Sequence, residues 1–295
     1  MWAMQFTCIK LVEGQVGPLF TVWAPMTLST LMLYPLIRRE RGVLHSDDRK
    51  PKSDVLLFFV LAAVGVFPGQ VFMTWGTQMS TASNAAVMQL TLPVSTALLA
   101  VVLLGERMGA LRWLSFGVAL LGVLLCSEAD LWRMDLASRY LPGNLLVLAG
   151  TLGSAFYNSY GKRVLNRYSP MEMLFYTYVA MFVLMTPLTV WRESASFTRI
   201  PEFTSDTWIG LAVLTFFHNF LSMVLFLKAL KQLDAIQAAL CNYLITFFGV
   251  PLAVLWLGER PTLQGVLGGV LILGSTLLIT LWENRRDTLR HAHPG

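Results

Sequence analysis

From residue 55 to residue 105 the chain carries no Asp, Glu, Lys or Arg. A soluble fold cannot use such a stretch, because its surface needs polar groups at short intervals. The rest of the chain has the same habit: 55% of residues are hydrophobic and 13% charged, against ~25% charged in an ordinary soluble domain. An uncharged apolar run longer than ~18 residues reads as a membrane-crossing helix, since ~20 residues at ~1.5 Å each cross a ~30 Å hydrocarbon core. A membrane barrel needs apolar and polar residues in alternation. These runs are apolar on nearly every side, so they predict helices.

The 55–105 run is too long for one helix, and "QMSTASNAA" divides it into spans near 55–77 and 83–104. Further spans are predicted at 17–37, 108–127, 143–161, 173–191, 207–227, 235–257 and 262–282. The opening "MWAMQFTCIK" is apolar only as far as Lys10, about half a bilayer in length. It has no basic n-region and no small-residue cleavage site, so it does not read as a secretory signal. It reads as the second half of a tenth helix whose start lies before Met1.

Lys and Arg gather on the cytoplasmic side of membrane proteins. With the loop "RRERGVLHSDDRKPK" placed inside, only Lys10, Arg133, Arg139, Arg192, Arg199 and Arg260 of the 22 Lys and Arg fall outside. Both chain ends are then cytoplasmic. The net charge of +5 reflects this bias and does not call for nucleic acid.

The chain also repeats itself. Residues 84–107, "NAAVMQLTLPVSTALLAVVLLGER", fall on 237–260, "QAALCNYLITFFGVPLAVLWLGER", at an offset of 153. Ala85 meets Ala238, Gln89 meets Asn242, and Gly105-Glu106-Arg107 meets Gly258-Glu259-Arg260. At an offset of 152, Lys10 meets Lys162 and Pro18 meets Pro170. The expected organisation is a first five-helix repeat at 1–127, a connecting loop at 128–142, a second repeat at 143–283 and a cytoplasmic tail at 284–295. Five is odd, so the second repeat enters the membrane from the opposite side. Inverted repeats of this kind place a substrate site between the halves near the midplane.

Trp2, Phe6 and Lys10 at four-residue spacing, Pro18 opening the second helix, and "LGE" closing the fourth and ninth resemble the EamA family of the drug/metabolite transporter superfamily. The resemblance runs over nearly the whole chain. It implies an all-α polytopic membrane protein of ten helices, with cytoplasmic termini and a central cavity lined by both halves. Ala24 and Pro25 in "VWAP" stand where the family leads one to expect an Arg.

The polar residues inside the spans each carry two readings. Glu106 and Glu259 sit at helix junctions, where a carboxylate is favoured at the start of the following helix by its dipole and free N–H groups; the other reading is a role in transport. His218 is the one His deep in a span. Intramembrane ionisable residues usually face the bundle interior, so His218 either handles substrate and protons or is a neutral ring bonded to a neighbouring helix. Asn219 and Ser222 share its region. Gln70, Thr74 and Thr77 run down one face of the third helix, and Gln89 and Asn242 occupy matching repeat positions. These line a polar cavity or bond between helices. Ser154, Asn158 and Lys162 repeat the spacing of Trp2, Phe6 and Lys10, with Tyr157 the neighbouring aromatic. Pro68, Pro93 and Pro251 are candidate hinges.

Other chemistry has little support. Cys8, Cys126 and Cys241 are far apart in apolar segments and suggest neither a metal site nor a disulfide framework. No catalytic motif and no cofactor-binding loop stands out. The sequence therefore predicts a secondary transporter of the cell's inner membrane, whose partners are the bilayer and a small neutral or zwitterionic solute such as an amino acid; a homodimer is left open. The rival classes are a membrane-embedded lipid-modifying enzyme and a non-transporting scaffold.

Overall fold

The computed structural model describes residues 1–43, 54–96, 99, 110–126, 139–165, 167–232 and 235–292. Among them every regular element is helical. α1 is Gln5–Val12, entered through a 3-10 turn at Trp2–Met4, and α2 is Pro18–Val43. α3 is Val55–Met79. α4 opens with Ala82–Met88 and continues through a 3-10 turn at Gln89–Thr91. α5 is Ala110–Cys126, α6 Leu141–Val164 and α7 Pro170–Arg192. α8 is Ser205–Ala229, α9 Ala235–Leu257 and α10 Leu263–Ala292. Among the described residues, four helices are long and apolar enough to cross a membrane: α2 over Pro18–Arg39, α3, α7 and α8. Shorter apolar helices lie at Trp113–Cys126, Ile245–Leu257 and Leu263–Leu278.

Local chemistry sets the helix starts. Pro18 and Pro170 open α2 and α7, where a missing N–H costs nothing and the fixed φ is already helical. Ser169 and Glu172 add a reciprocal capping box to α7. Thr81 caps α4 and Thr204 caps α8 through their side-chain oxygens. Gly258 ends α9 with φ of +68°, a left-handed turn that only glycine adopts cheaply.

The interior holds polar residues among apolar ones, and the outside is largely apolar. Ser29, Asn144, Thr151 and Thr177 are fully buried, whereas Leu255 is 83% and Leu263 76% exposed. A surface with so much exposed apolar area needs lipid around it. One apolar core joins α2, α3, α6, α7 and α8 through Leu33, Leu61, Leu165, Met173, Tyr178 and Leu227. A second joins α1, α4, α5, α9 and α10 through Phe6, Met88, Val123, Ala253 and Ile272. Backbones approach closely at two crossings. A Cβ on Gly76 of α3 would lie 2.5 Å from Gly143 O of α6, and one on Gly122 of α5 would lie 2.7 Å from Gly268 O of α10. Small residues permit this approach in membrane helices, where packing rather than water drives association.

α3 and α8 both depart from α-helical geometry in mid-course. α3 winds as a π-helix over Leu61–Val66 and Pro68–Phe72, and α8 over Leu214–Ser222. Pro68 offers no N–H and its ring crowds the preceding turn, so widening relieves α3 there. α8 has no proline in its π run. Side chains reach its carbonyls: the single Ser29 hydroxyl proton is shared between Pro25 O at 2.7 Å and Thr215 O at 2.9 Å, and Asn219 Nδ2, in the same run, donates to Leu214 O at 2.9 Å. Leu61, where the first π run of α3 begins, and Leu214, where that of α8 begins, are 153 residues apart.

Candidate substrate cavity

Both π segments face one cavity. From α3 it receives Gly65, Gly69 and Gln70, and from α8 His218. The start of the chain supplies Trp2, Gln5 and Phe6, and α4 supplies Gln89. α6 contributes Ser154, Tyr157 and Asn158, spaced so that they fall on one helix face. Tyr178 of α7, Phe226 of α8 and Ile245 of α9 close the rest.

Glycine lets α3 and α6 meet behind this wall. A Cβ on Gly65 would lie 3.0 Å from Tyr157 Cβ, and one on Gly69 would lie 3.0 Å from Ser154 Oγ. The Trp2 and Phe226 rings pack at 4.7 Å between centroids, within the range of favourable aromatic pairs. The cavity thus has a rigid aromatic side.

Its polar side is partly unsatisfied by the protein. Trp2 Nε1 and both ring nitrogens of His218 are buried without a hydrogen-bond partner among the described residues. Thr177 Oγ1 donates to Met173 O at 2.7 Å and keeps lone pairs that can accept from the Tyr157 hydroxyl beside it. Buried polar groups are almost always bonded, and exceptions call for an explanation such as an absent ligand or water. No Asp, Glu, Lys or Arg is among the described residues lining the cavity. The described side chains of the site offer dipoles, carboxamides and aromatic faces.

Of the residues singled out in the sequence, Gln70, Gln89, Tyr157, Asn158 and His218 line this one cavity. Gln89 Nε2 lies 3.3 Å from Met73 Sδ, a weak acceptor. Thr74 is buried away from the cavity. Asn219 is buried beside it and spends its amide on Leu214 O. Ser222 donates to the His218 carbonyl and not to its ring. Glu106 lies outside the described residues, and Asn242 outside the described side chains. Gln5 and Tyr178 line the cavity although the sequence did not mark them.

Glu259 has a different partner from the expected one. Its carboxylate accepts from Ala82 N at 2.7 Å and from Ser83 N at 2.9 Å, at the start of α4 and not of the following helix. The reason is local. Gly258 turns the chain, α10 begins only at Leu263, and Thr262 Oγ1 already accepts from Gly265 N at 3.1 Å. Glu193, just past the end of α7, does the same for α2, accepting from Leu19 N at 3.0 Å and Phe20 N at 2.8 Å.

Known proteins share this plan. The chain is 28% identical to the "Probable terminal-alkyne amino-acid exporter" of Streptantibioticus cattleyicolor, over 97% of this chain and 90% of that one. It is 25% identical to the "S-adenosylmethionine uptake transporter" of Rickettsia conorii, over 79% of this chain and 74% of that one. The "Uncharacterized transporter YdfC" of Bacillus subtilis is 24% identical over 99% and 92%. One crystal structure superposes on 97% of this chain and 94% of its own with a TM-score of 0.63 at 18% identity, a likeness of fold alone. The model of the EamA-like transporter family matches residues 1–127 and 141–281. With helices fit for a membrane and transporters as relatives along its length, this chain belongs to the EamA-like transporter family.

Proposed function

We propose that this protein is a ten-helix secondary transporter of the cell's inner membrane that moves a small neutral or zwitterionic metabolite by alternating access. Its halves are residues 1–127 and 143–283, inverted relative to each other, with 128–142 as the connection and a cytoplasmic tail from 284. The offsets of 152 and 153 support this organisation, because they relate structural landmarks as well as letters. They carry the start of α2 onto that of α7, the start of α4 onto that of α9, and the first π turn of α3 onto that of α8.

One observation carries the reading of the site: Trp2 Nε1 and the ring nitrogens of His218, unpaired among the described residues, share a cavity with Tyr157 Oη and carboxamides, and no Asp, Glu, Lys or Arg is among its described lining residues. Trp2 and Tyr157 come from the first and second halves. A carboxylate on the solute would meet the indole, phenol and amide donors. A solute ammonium would meet amide oxygens and aromatic faces. A solute with a net charge would lack a counter-ion, which is costly at membrane depth. Amino acids fit this chemistry, and the name of one relative refers to an amino acid.

The test is counterflow in liposomes holding the purified protein, screened across amino acids and other metabolites. Saturable exchange of a zwitterion, lost in Gln70→Ala and Asn158→Ala, is the expected result. Preference for a quaternary ammonium dye, or no exchange of any solute by correctly folded protein, would overturn the proposal.

A further inference from the structure

Two carboxylates from one half of the protein hold helix starts of the other. Glu193 spreads its two oxygens over Leu19 N and Phe20 N, and Glu259 spreads its two over Ala82 N and Ser83 N. These N–H groups belong to the first turns of α2 and α4, whose donors have no partner inside the helix. The starts of α7, α8 and α10 have capping oxygens of their own, from Ser169, Thr204 and Thr262. α4 has one too, Thr81, but its Ala82 and Ser83 donors still go to Glu259. At α4, at least, the borrowed acid comes in addition to the helix's own cap, from 177 positions away.

A third tie lies at the same end of the bundle. Gln15, between α1 and α2, donates to Glu202 O at 3.0 Å and accepts from Thr204 N at 2.8 Å and Thr207 Oγ1 at 2.6 Å, before and within α8. All three ties join residues of 1–127 to residues of 143–283. Bonds from N–H to a carboxylate are charge-assisted and roughly twice as strong as neutral ones. Glu193 and Glu259 are only half-buried, so water can replace them on both sides of the bond when it breaks. A contact that is strong when made and cheap to rehydrate suits a joint that opens and closes.

We infer that Glu193 and Glu259 are positioning residues for transport: a pair of latches that hold the two halves together at this end and keep the cavity shut there. This rests on the transporter reading above, in whose orientation this end faces outward. Opening outward then requires both carboxylates to leave α2 and α4. Neutralising them shifts the population toward the outward-open state, in proportion to the lost difference between states.

The test reads cavity access and transport separately. In a background without Cys8, Cys126 and Cys241, Ser154→Cys places a reporter on the cavity wall. Intact cells and inside-out vesicles are treated with an impermeant methanethiosulfonate. E193Q with E259Q should raise outside labelling about tenfold, the worth of roughly one charge-assisted hydrogen bond, and lower inside labelling. Unchanged labelling from both faces in a folded double variant would overturn the latches and leave two ordinary helix caps. A rise from the inside face only would keep the latches and overturn the proposed orientation. Should the double variant not fold, a second pair serves: Ala82→Cys with Glu259→Cys, bridged by a flexible bis-methanethiosulfonate. Bridging should stop exchange and reduction should restore it; exchange that continues when bridged overturns the latch. Absence of exchange in every form counts against the transporter reading alone, since the labelling result stands without it.

Discussion

Tyr178 of α7 donates its hydroxyl to the main-chain carbonyl of Asn219 at 2.9 Å. That carbonyl lies in the π run of α8, beside His218. The bond therefore anchors a wide turn whose own ladder is irregular, and it does so one residue from the most unusual side chain in the cavity. Tyr178 is among the largest fully buried side chains, so losing this bond leaves a buried carbonyl short of a partner.

Tyr178→Phe removes this bond and little volume. The expected cost is about 1–2 kcal/mol, read as a lower unfolding temperature in detergent. A larger fractional loss of transport than of folded protein is also expected, because the π turn that sets the His218 ring relaxes. A variant with wild-type exchange would show that the bond only holds α7 to α8.

The fold was legible where physics is local or repeats. Pro18 and Pro170 announced two helix starts, and the charge-free runs announced apolar helices. The π runs were not legible. Nothing in "LTFFHNFLS" differs in composition from an α-helical span, and the widening depends on partners such as Ser29 and Tyr178 on other helices. That is also why Asn219 looked like a cavity residue: a π turn brings Leu214 O, five residues back, within reach of its amide. Gln5 did leave a signal, since a lone amide in an apolar half-helix three residues from Trp2 shares its face. Glu193 left none, because its partners are 174 and 173 positions earlier.

Close helix crossings give a second prediction. A Cβ on Gly153 would lie 2.7 Å from Gly69 N, against backbone that cannot yield without moving α3. Gly153→Val should therefore cost on the order of 1–3 kcal/mol as overpacking and lower the yield of folded protein. A Cβ on Gly117 of α5 would meet nothing within 4 Å. Gly117→Val is the matched control and should melt near wild type. Equal loss in both would mean that glycine matters for membrane insertion and not for the α3–α6 contact.

His218 supplies a third. An imidazole can carry a proton on either ring nitrogen, and both nitrogens of His218 lack a hydrogen-bond partner among the described residues. If the ring passes protons during transport, His218→Gln should flatten the pH profile of transport while the protein stays folded. Counterflow of radiolabelled solute across a pH series measures it. A profile that His218→Gln leaves unchanged would reduce the ring to a solute contact or a packing group.

The repeated "LGER" gives the last. The offset of 153 carries Glu259 to Glu106, and it also carries Ala82, the first residue of α4, to Ala235, the first of α9. Glu106 and Arg107 lie outside the described residues, so this step rests on the repeat. In an inverted pair the same joint is used once on each face. Lys and Arg favour the inside, and the first junction continues "ERMGALR" with a second base, whereas the second continues "ERPTLQG" with none. Single cysteines at Arg107 and Arg260, treated in intact cells with an impermeant reagent, should label only at Arg260, which is exposed. The latch should change sign with the face. Where E259Q raises outside labelling of a cysteine at Ser154, E106Q should lower it, because loosening the inner joint favours the inward-open state. Labelling at Arg107 from outside, or the same sign for both Glu variants, would mean that the two joints share letters without sharing a mechanism.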